Sequence, residues 1–380
     1  MSKPLLPRCL IAIFIIATCA IPARAQAGNH PKYKAKAKPA ASPLSLPGPS
    51  YALRNDAMQL AEDIALRRHL DAAWVRQTLA QARYIPSIAK AITPAPVGTA
   101  KNWRVYRSRF IEPIRIKAGA AFWQAHAETL RRAEQETGVP PEIIVGIIGV
   151  ETIYGQQMGS YRVIDALATL AFDFPASHPR AAQRSAYFKD ELENYLSLTQ
   201  RNGIDPLSLR GSYAGAMGMP QFMPSSWAKY AIDFDGDGRV DLFASPADAI
   251  GSVASYFKAF GWQPGLPTHY PVSFDQHKLD LDALMAPDIL PTFSTTSFQA
   301  KGAVLGAAAL QHKGNLALIE LQNGADANSY VAGTDNFYVI TRYNWSSYYA
   351  MAVIELGQAV MQALGATPGV LPYLPKPTDF

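Results

Sequence analysis

The sequence has only two cysteines among 380 residues, Cys9 and Cys19, and both lie near its start. They belong to an apolar run over 9–21, which follows basic residues and precedes a small-x-small sequence ending at Ala25. This order of features predicts a signal peptide over 1–25 that is cleaved after Ala25. The mature chain would then hold no cysteine, which excludes disulfide bonds, zinc–thiolate sites and cysteine nucleophiles.

A long hydrophobic run is also missing, since the apolar stretch over 9–21 is too short to span a bilayer comfortably. The alternative to cleavage after Ala25 is a lipid anchor on Cys19, because residues 16–19 loosely resemble a lipoprotein cleavage box. Thr18 fits that box poorly, because the position favours a smaller residue. We therefore expect plain cleavage and keep lipidation of Cys19 as the alternative.

Charge is sparse and unevenly placed: 17% of the residues are charged, and the formal net charge is +5. Cleavage after Ala25 removes three basic residues and no acid, which lowers the net charge to +2. Residues 26–50 contribute four lysines, five prolines and no acid, which is the composition of an extended linker. Residues 51–380 then carry a net charge of −2, which argues against a nucleic-acid partner, because such proteins present a basic face.

Apolar residues recur at helical spacing through much of the remaining chain. This periodicity predicts a helix or helix pair over 56–83 and further helices over 112–137, 142–154, 163–172, 181–202, 246–260 and 349–364. Short alternating runs between Asn-Gly, Gly and Pro turns predict strands within 264–345, among them 316–321 and 337–340. No internal repeat is visible, so solenoids and propellers are not expected.

Common catalytic motifs are absent from the sequence, including the zinc-binding His-Glu-x-x-His, the Gly-x-Ser-x-Gly elbow, the phosphate-binding loop and the dinucleotide fingerprint. One acid, Glu151, has an unusual setting. It follows Ile147 and Ile148 by four and three residues, so a helix places its carboxylate on their apolar face. Desolvation favours a neutral carboxyl, which suits a general acid that protonates a glycosidic oxygen. The alternative is a half-exposed or capping glutamate in a last helical turn.

Two further segments offer aromatic surface. The segment 211–227 combines three glycines and two prolines with aromatic residues, methionines and an amide, so it predicts either a sugar-binding loop or a buried turn. An aromatic cluster predicts either core packing or a carbohydrate platform, and core is the more usual outcome. Its members are Tyr338, Tyr343, Asn344, Trp345, Tyr348 and Tyr349.

A third segment, over 233–248, follows the pattern of an EF-hand-like calcium loop, with a glycine at position 6. It departs from the pattern at position 12, where Ala244 replaces the usual glutamate, so Asp248 would have to close a longer loop. The alternative is a solvated Asp-Gly turn, and a bound ion would brace the fold rather than do chemistry. The predicted ion ligands are Asp233, Asp235, Asp237, Arg239, Asp241 and Asp248.

Together these segments resemble the lytic murein transglycosylase B family. The resemblance covers about 55–365 and rests above all on Gly138–Thr152, which holds Glu151. It continues through 165–170, 215–226, 249–253 and 340–344. Two departures are an apparent insertion over 176–183, before Arg184, and one extra residue before Asp248.

The resemblance implies a mainly α (α+β) protein with a lysozyme-like helical catalytic core, a flanking helical domain and a small antiparallel β domain. The expected organisation is a signal peptide and a linker, followed by three folded regions. These are an N-terminal helical region over 51–137, joined by a C-terminal helix over 346–366, a catalytic core over 138–262, and a β-rich region over 263–345 that completes the cleft.

The resemblance also implies cleavage of the MurNAc–GlcNAc β-1,4 bond of peptidoglycan to a 1,6-anhydro product, with Glu151 acting first as acid and then as base. The implied substrate-binding residues are Ser212, Gln221, Tyr256, Tyr343, Asn344 and Arg184. A hydrolytic muramidase and a non-catalytic peptidoglycan-binding protein are the alternatives.

We expect no cofactor for the chemistry, although a structural Ca²⁺ or Na⁺ ion would fit the acidic loop. The expected partner is the peptidoglycan glycan strand. We expect the protein to be a monomer and to bind no nucleic acid. The expected location is the periplasm of a Gram-negative bacterium. The alternative is an outer-membrane lipoprotein anchored through Cys19, with peripheral membrane association.

Overall fold

The computed structural model describes residues 47–93 and 101–365. The predicted signal peptide, Cys19 and nearly all of the linker lie outside the described residues, as does the last residue of the expected C-terminal helix. Within the described ranges, no helix combines the length and the apolar character needed to cross a membrane.

Helices dominate the architecture, which confirms the prediction of a mainly α fold. A short 3-10 helix, Tyr51–Leu53, precedes them. The α-helices are α1 (Asn55–Arg68), α2 (Ala72–Ala80), α3 (Pro86–Ala91), α4 (Trp103–Arg107), α5 (Pro113–Ala125), α6 (Ala127–Thr137), α7 (Pro141–Thr152), α8 (Val163–Phe172), α9 (Ala181–Arg201), α10 (Pro224–Tyr230), α11 (Pro246–Ala259), α12 (Leu281–Met285), α13 (Thr295–Ala300), α14 (Ala307–Leu310), α15 (Asp335–Thr341) and α16 (Ser347–Ala363).

Six strands accompany the helices within the described ranges. They are β1 (Tyr161–Arg162), β2 (Arg210–Gly211), β3 (His269–Phe274), β4 (Ala303–Leu305), β5 (Ala317–Asn323) and β6 (Asp326–Gly333). The first two form a small antiparallel pair, and the other four form an antiparallel sheet in the order β4-β3-β6-β5. Strand β5 lies at the edge of this sheet, and its alternating side chains pack into two different hydrophobic cores. Ile319 and Leu321 join the main hydrophobic core, whereas Leu318 joins a smaller one beside the sheet.

The predicted helix boundaries hold where turn chemistry is clear. The stretch over 56–83 is a helix pair separated at His69, which ends α1 in the left-handed conformation with φ 55°. The stretch over 112–137 is also two helices, because the chain bends at His126 between α5 and α6. Gly138, with φ 73°, ends α6 as expected of a glycine C-cap.

The prediction of a strand over 337–340 was wrong, since these residues belong to α15. The helix begins there because the side chain of Thr334 caps it, accepting a bond from the backbone N–H of Asn336. The amide of Asn336 then donates to the carbonyls of Gln263 and Leu266, at 2.8 Å each, and fixes the first turn to the preceding loop. Local capping and tertiary bonds therefore outweigh the strand propensity of the segment.

Helices α7 and α16 pack with their backbones unusually close. Gly146 of α7 faces the carbonyl of Val353, and Gly357 of α16 faces the carbonyl of Glu142. A Cβ atom at either glycine would overlap the facing carbonyl oxygen, so only glycine permits this approach. The close contact brings the first turn of α16 beside the last turn of α7.

Candidate active site

Glu151 lies in the last turn of α7 and remains partly exposed, although every residue from Ile143 to Val150 is buried. The chain leaves this helix through Ile153 and Tyr154, both in the left-handed region with φ of 51° and 56°. This conformation is unfavourable for a β-branched residue such as isoleucine, and strain of this kind is concentrated at functional sites. The sharp exit ends the helix directly after the carboxyl group and leaves it open on one side.

Among the residues that the structure describes, the carboxyl of Glu151 has one direct side-chain partner. The hydroxyl of Tyr349, in the first turn of α16, donates a hydrogen bond of 2.5 Å to its Oε1. Burial raises the pKa of Glu151 to about 7, and the bond from Tyr349 opposes this rise without cancelling it. A large fraction of Glu151 is therefore protonated at neutral pH, as general acid catalysis requires.

Other tyrosines enclose this pair. Tyr343 stacks on Tyr349 with ring centroids 6.4 Å apart and an interplanar angle of 15°. Burial, followed by the negative charge of Glu151, raises the pKa of Tyr106, and the same causes raise that of Tyr343. These phenols stay neutral at any physiological pH, so they supply apolar walls and neutral hydroxyl groups around one acid.

The glycine-rich segment 211–227 docks against the end of α7. Thr152 donates from its hydroxyl to the carbonyl of Met219, at 2.8 Å, and Tyr343 donates to the carbonyl of Pro220, at 2.5 Å. Gln221 has φ 50°, and its amide donates to the carbonyls of Gly218 and Met158. Gln221 in the loop, and Tyr343 bonded to the loop, are two predicted substrate-binding residues that thus lie near the end of α7.

Two other predicted substrate-binding residues, Ser212 and Tyr256, hold the loop and the tyrosines beside it in place. Ser212 accepts bonds from the backbone N–H groups of Ala214 and Ala216, at 3.3 and 3.0 Å, so its hydroxyl shapes the loop itself. Tyr256 donates to the carbonyl of Arg342, at 2.6 Å, and its ring lies 4.8 Å from that of Tyr343.

The last two predicted residues, Asn344 and Arg184, are buried. The Oδ1 atom of Asn344 has no hydrogen-bond partner within the described chain. The guanidinium of Arg184 lies over the rings of Tyr187 and Phe188, at 5.5 and 5.3 Å, and desolvation lowers its pKa. No described contact joins Arg184 to Glu151.

Sequence reasoning missed the closest partner of the acid. The sequence pattern predicts Tyr349 as a member of the aromatic cluster, not as the hydrogen-bond donor to Glu151, and no sequence pattern indicates Tyr106. The two members of the bond are 198 residues apart, so no local spacing could have indicated the contact. The only signal in the sequence was the density of tyrosines near the end of the chain.

The acidic loop brings three of its predicted ligands together. Carboxylate oxygens of Asp233, Asp235 and Asp248 all lie within 4.8 Å of one another. Asp248 is buried and accepts the backbone N–H groups of Phe234 and Asp241, at 2.7 Å each, which ties both ends of the loop to α11. Ligand oxygens at about 2.4 Å from a calcium ion are separated by at most about 5 Å, so this set of hard oxygen donors fits Ca²⁺.

The remaining predicted ligands have other contacts. Asp237 accepts the backbone N–H of Arg239 at 2.9 Å, and the guanidinium of Arg239 lies 3.8 Å from the same carboxylate. Asp241 caps the following turn by accepting the N–H groups of Phe243 and Ala244. The side chains of Asp237 and Asp241 are thus engaged within the loop, outside the group of three.

A mainly helical fold with a half-buried acid beside a glycine-rich loop defines a lysozyme-like class of protein, whose sites cleave glycosidic bonds. Residues 53–358 match the family model described as the transglycosylase SLT domain. The chain belongs to this family, and the resemblance predicted from its sequence is confirmed.

Individual relatives are similar over most of their length. The chain is 41% identical over 327 residues to membrane-bound lytic murein transglycosylase B of Escherichia coli, covering 83% of this chain and 85% of the relative. The crystal structure of soluble lytic transglycosylase SltB1 from Pseudomonas aeruginosa matches with a TM-score of 0.74 and 42% identity, over 82% of this chain and 100% of that one. Lytic transglycosylase Slt35 of E. coli, solved in complex with calcium, matches with a TM-score of 0.71 and 38% identity, over 86% and 99%.

Proposed function

We propose that this protein is a lytic transglycosylase that cleaves the MurNAc–GlcNAc β-1,4 bond of peptidoglycan and forms a 1,6-anhydromuramoyl end. The observation that carries the proposal is Glu151, a carboxyl with a pKa of about 7 at the open end of α7, held by one phenol. Membership of the transglycosylase family supplies the class of reaction, and the murein named for the E. coli relative supplies the substrate class.

In the proposed mechanism, protonated Glu151 donates its proton to the glycosidic oxygen as the bond from that oxygen to the anomeric carbon breaks. The C6 hydroxyl of the same muramoyl residue then attacks the anomeric carbon and closes the anhydro ring. Its proton passes to the carboxylate of Glu151, which restores the acid. No water is consumed, and the hydroxyl of Tyr349 stabilises the carboxylate while it waits for that proton.

One carboxyl is sufficient for this chemistry, because the substrate provides the nucleophile. Paired acids at defined separations are characteristic of enzymes that activate water or form a glycosyl-enzyme intermediate. Across the described residues, no second carboxylate contributes to the pKa of Glu151, which depends on burial and on Tyr349. This single acid supports the anhydro route in our proposal.

The loop over 211–223 and the tyrosines facing it form the proposed wall of the glycan cleft. Gln221 and Asn344 supply amides, and Tyr256 and Tyr343 supply flat apolar surface for sugar rings. Ser212 holds the loop in shape. We place Arg184 in a more distant part of the cleft, where its desolvated guanidinium suits an anionic group of the substrate.

A calcium ion is the proposed occupant of the acidic loop. Asp233, Asp235 and Asp248 would hold it, and its contribution would be to neutralise their mutual repulsion and brace the start of α11. The calcium complex of the Slt35 relative supports this assignment. The chemistry at Glu151 does not pass through the ion.

For location, we propose the periplasmic face of a Gram-negative envelope, where a monomer acts on glycan strands. The predicted signal peptide supports export. The E. coli relative is named membrane-bound, which supports the alternative of a lipid anchor on Cys19.

Mass spectrometry of a digest of purified peptidoglycan tests the proposed reaction. We expect anhydromuramoyl ends from the wild type and a loss of at least ~100-fold in Glu151→Gln, the scale of a positioned general acid. Glu142→Gln is a matched control, because it lies on the same helix about 13 Å away along the axis. Reducing muramic acid ends would identify a hydrolytic muramidase, and turnover that is unchanged in Glu151→Gln would identify a non-catalytic role for this residue.

A further inference from the structure

A polar cavity of about 110 Å³ lies outside the catalytic wall, between β5, the segment after α12 and the start of α16. Its lining includes both signs of charge, from Lys101, Asp288 and Glu320, together with the ring of Tyr348. We propose that this cavity binds the zwitterionic end of an amino acid, that is, an ammonium and a carboxylate carried by one carbon. In peptidoglycan this group is the free end of a diamino diacid in the stem peptide, so the assignment rests on the proposed function.

Glu320 provides a fixed carboxylate for the ammonium group. Its Oε1 accepts bonds from Asn328 and Tyr330, at 2.8 and 2.9 Å, and its Oε2 accepts one from Gln322 at 2.9 Å. Burial raises the pKa of Glu320, but these bonds and the charge of Lys101 outweigh it and hold the pKa below its usual range. A carboxylate has about four acceptor positions, so three donors leave one for a ligand.

Lys101 provides the matching cation. Its ammonium lies 5.9 Å from the ring centroid of Tyr348 and makes no ion pair within 4.0 Å across the residues that the structure describes. The charge is therefore available to a ligand carboxylate, while the ring of Tyr348 covers the apolar part between the two charges. Asp288, left-handed at φ 58°, adds a second acid at the exposed edge.

The cavity is within reach of a stem peptide that hangs from the reacting muramoyl residue. Tyr348 lines the cavity and directly precedes Tyr349, whose hydroxyl bonds the carboxyl of Glu151 at 2.5 Å. Adjacent Cα atoms are about 3.8 Å apart, so one chain step and one tyrosine side chain separate the cavity from the acid, a distance of about 10–15 Å. An extended peptide spans about 3.3–3.6 Å per residue, so the third or fourth residue of a stem arrives at this distance.

Steady-state kinetics on two glycans test the proposal. One glycan carries its stem peptides, and the other has had them removed by an amidase that cuts the lactyl amide. We expect Lys101→Met and Glu320→Gln to raise KM about tenfold on the stem-bearing glycan, the scale of one charge-assisted hydrogen bond, with kcat unchanged. KM on the stripped glycan should stay constant in both variants. Lys313→Ala, at an exposed lysine away from the cavity, is the control and should match the wild type on both substrates.

Two results would overturn the proposal: an equal rise of KM on both glycans, or no rise on either. Lys101 is exposed, so its variant keeps the test valid even if Glu320→Gln unfolds. Calorimetric titration of the wild type with a stem tripeptide and with the free diamino diacid distinguishes the two sources of this chemistry. The proposal is supported if the tripeptide binds the wild type and binds Lys101→Met more weakly. The stem-peptide assignment is contradicted if the free diamino diacid binds and the tripeptide does not. If neither glycan yields product, the proposed function fails, and the titration still decides the cavity.

Discussion

Replacing Glu151 by glutamine should make the protein more stable above neutral pH, although it removes the proposed acid. Burial holds the pKa of this group at about 7, against an ordinary value of 4.5. As pH rises through this window, the unfolded chain releases the proton while the folded protein keeps it, so the free energy of unfolding falls. Each pH unit within the window changes it by about 1.4 kcal/mol, and the whole window amounts to about 3 kcal/mol.

Glutamine does not titrate, and its side-chain oxygen can still accept the bond from Tyr349. The stability of Glu151→Gln should therefore equal that of the wild type near pH 4.5 and exceed it by up to about 3 kcal/mol at pH 8. Urea unfolding followed by circular dichroism at several pH values measures the difference, and the other titrating groups cancel because both proteins share them. Two curves that stay parallel from pH 4.5 to 8 would refute the reasoning, since Glu151 would then have an ordinary pKa.

Three further predictions follow from other contacts. Tyr349→Phe removes the donor that favours ionised Glu151, so the alkaline limb of kcat/KM should move upward by about one pH unit in a pH–rate profile; a stationary limb would contradict the assigned bond. Millimolar calcium should raise the Tm of the wild type but not that of Asp248→Asn, and an equal shift in both would place the ion elsewhere. Gly357→Ala should destabilise the protein by about 1–3 kcal/mol in thermal melting, because the new methyl overlaps a carbonyl of α7. Gly306→Ala, where the added atom meets open space, should leave Tm unchanged.

Much of the helical framework could be predicted because its signals are local. The periodicity of α8, α9 and α11, together with the Ser245-Pro246 start of α11, gives nearly the observed bounds. The strand prediction over 337–340 was wrong because the helix there is initiated by a threonine cap and by amide bonds to a distant loop. Neither of these appears in a hydrophobic pattern.

The site could be predicted only in part, for the same reason. Glu151 was identifiable from its spacing to two isoleucines and from a family segment. Its bond to Tyr349 depends on how two glycines let α7 and α16 cross, which no local pattern encodes. The acidic loop shows the same limit: the spacing indicated six ligands, and only the fold shows that three of their carboxylates converge.

The Glu151–Tyr349 bond has a consequence for when the protein becomes active. The hydroxyl that completes the acid belongs to the last helix of the described chain, 198 residues after the carboxyl group. A growing or partly folded chain therefore presents Glu151 without its partner, and closing so long a loop is a late and slow folding event. Loss of the segment that follows residue 346 should abolish the site even where the rest of the helices form. The partner that tunes the pKa of Glu151 would thus be in place only once α16 has packed against α7.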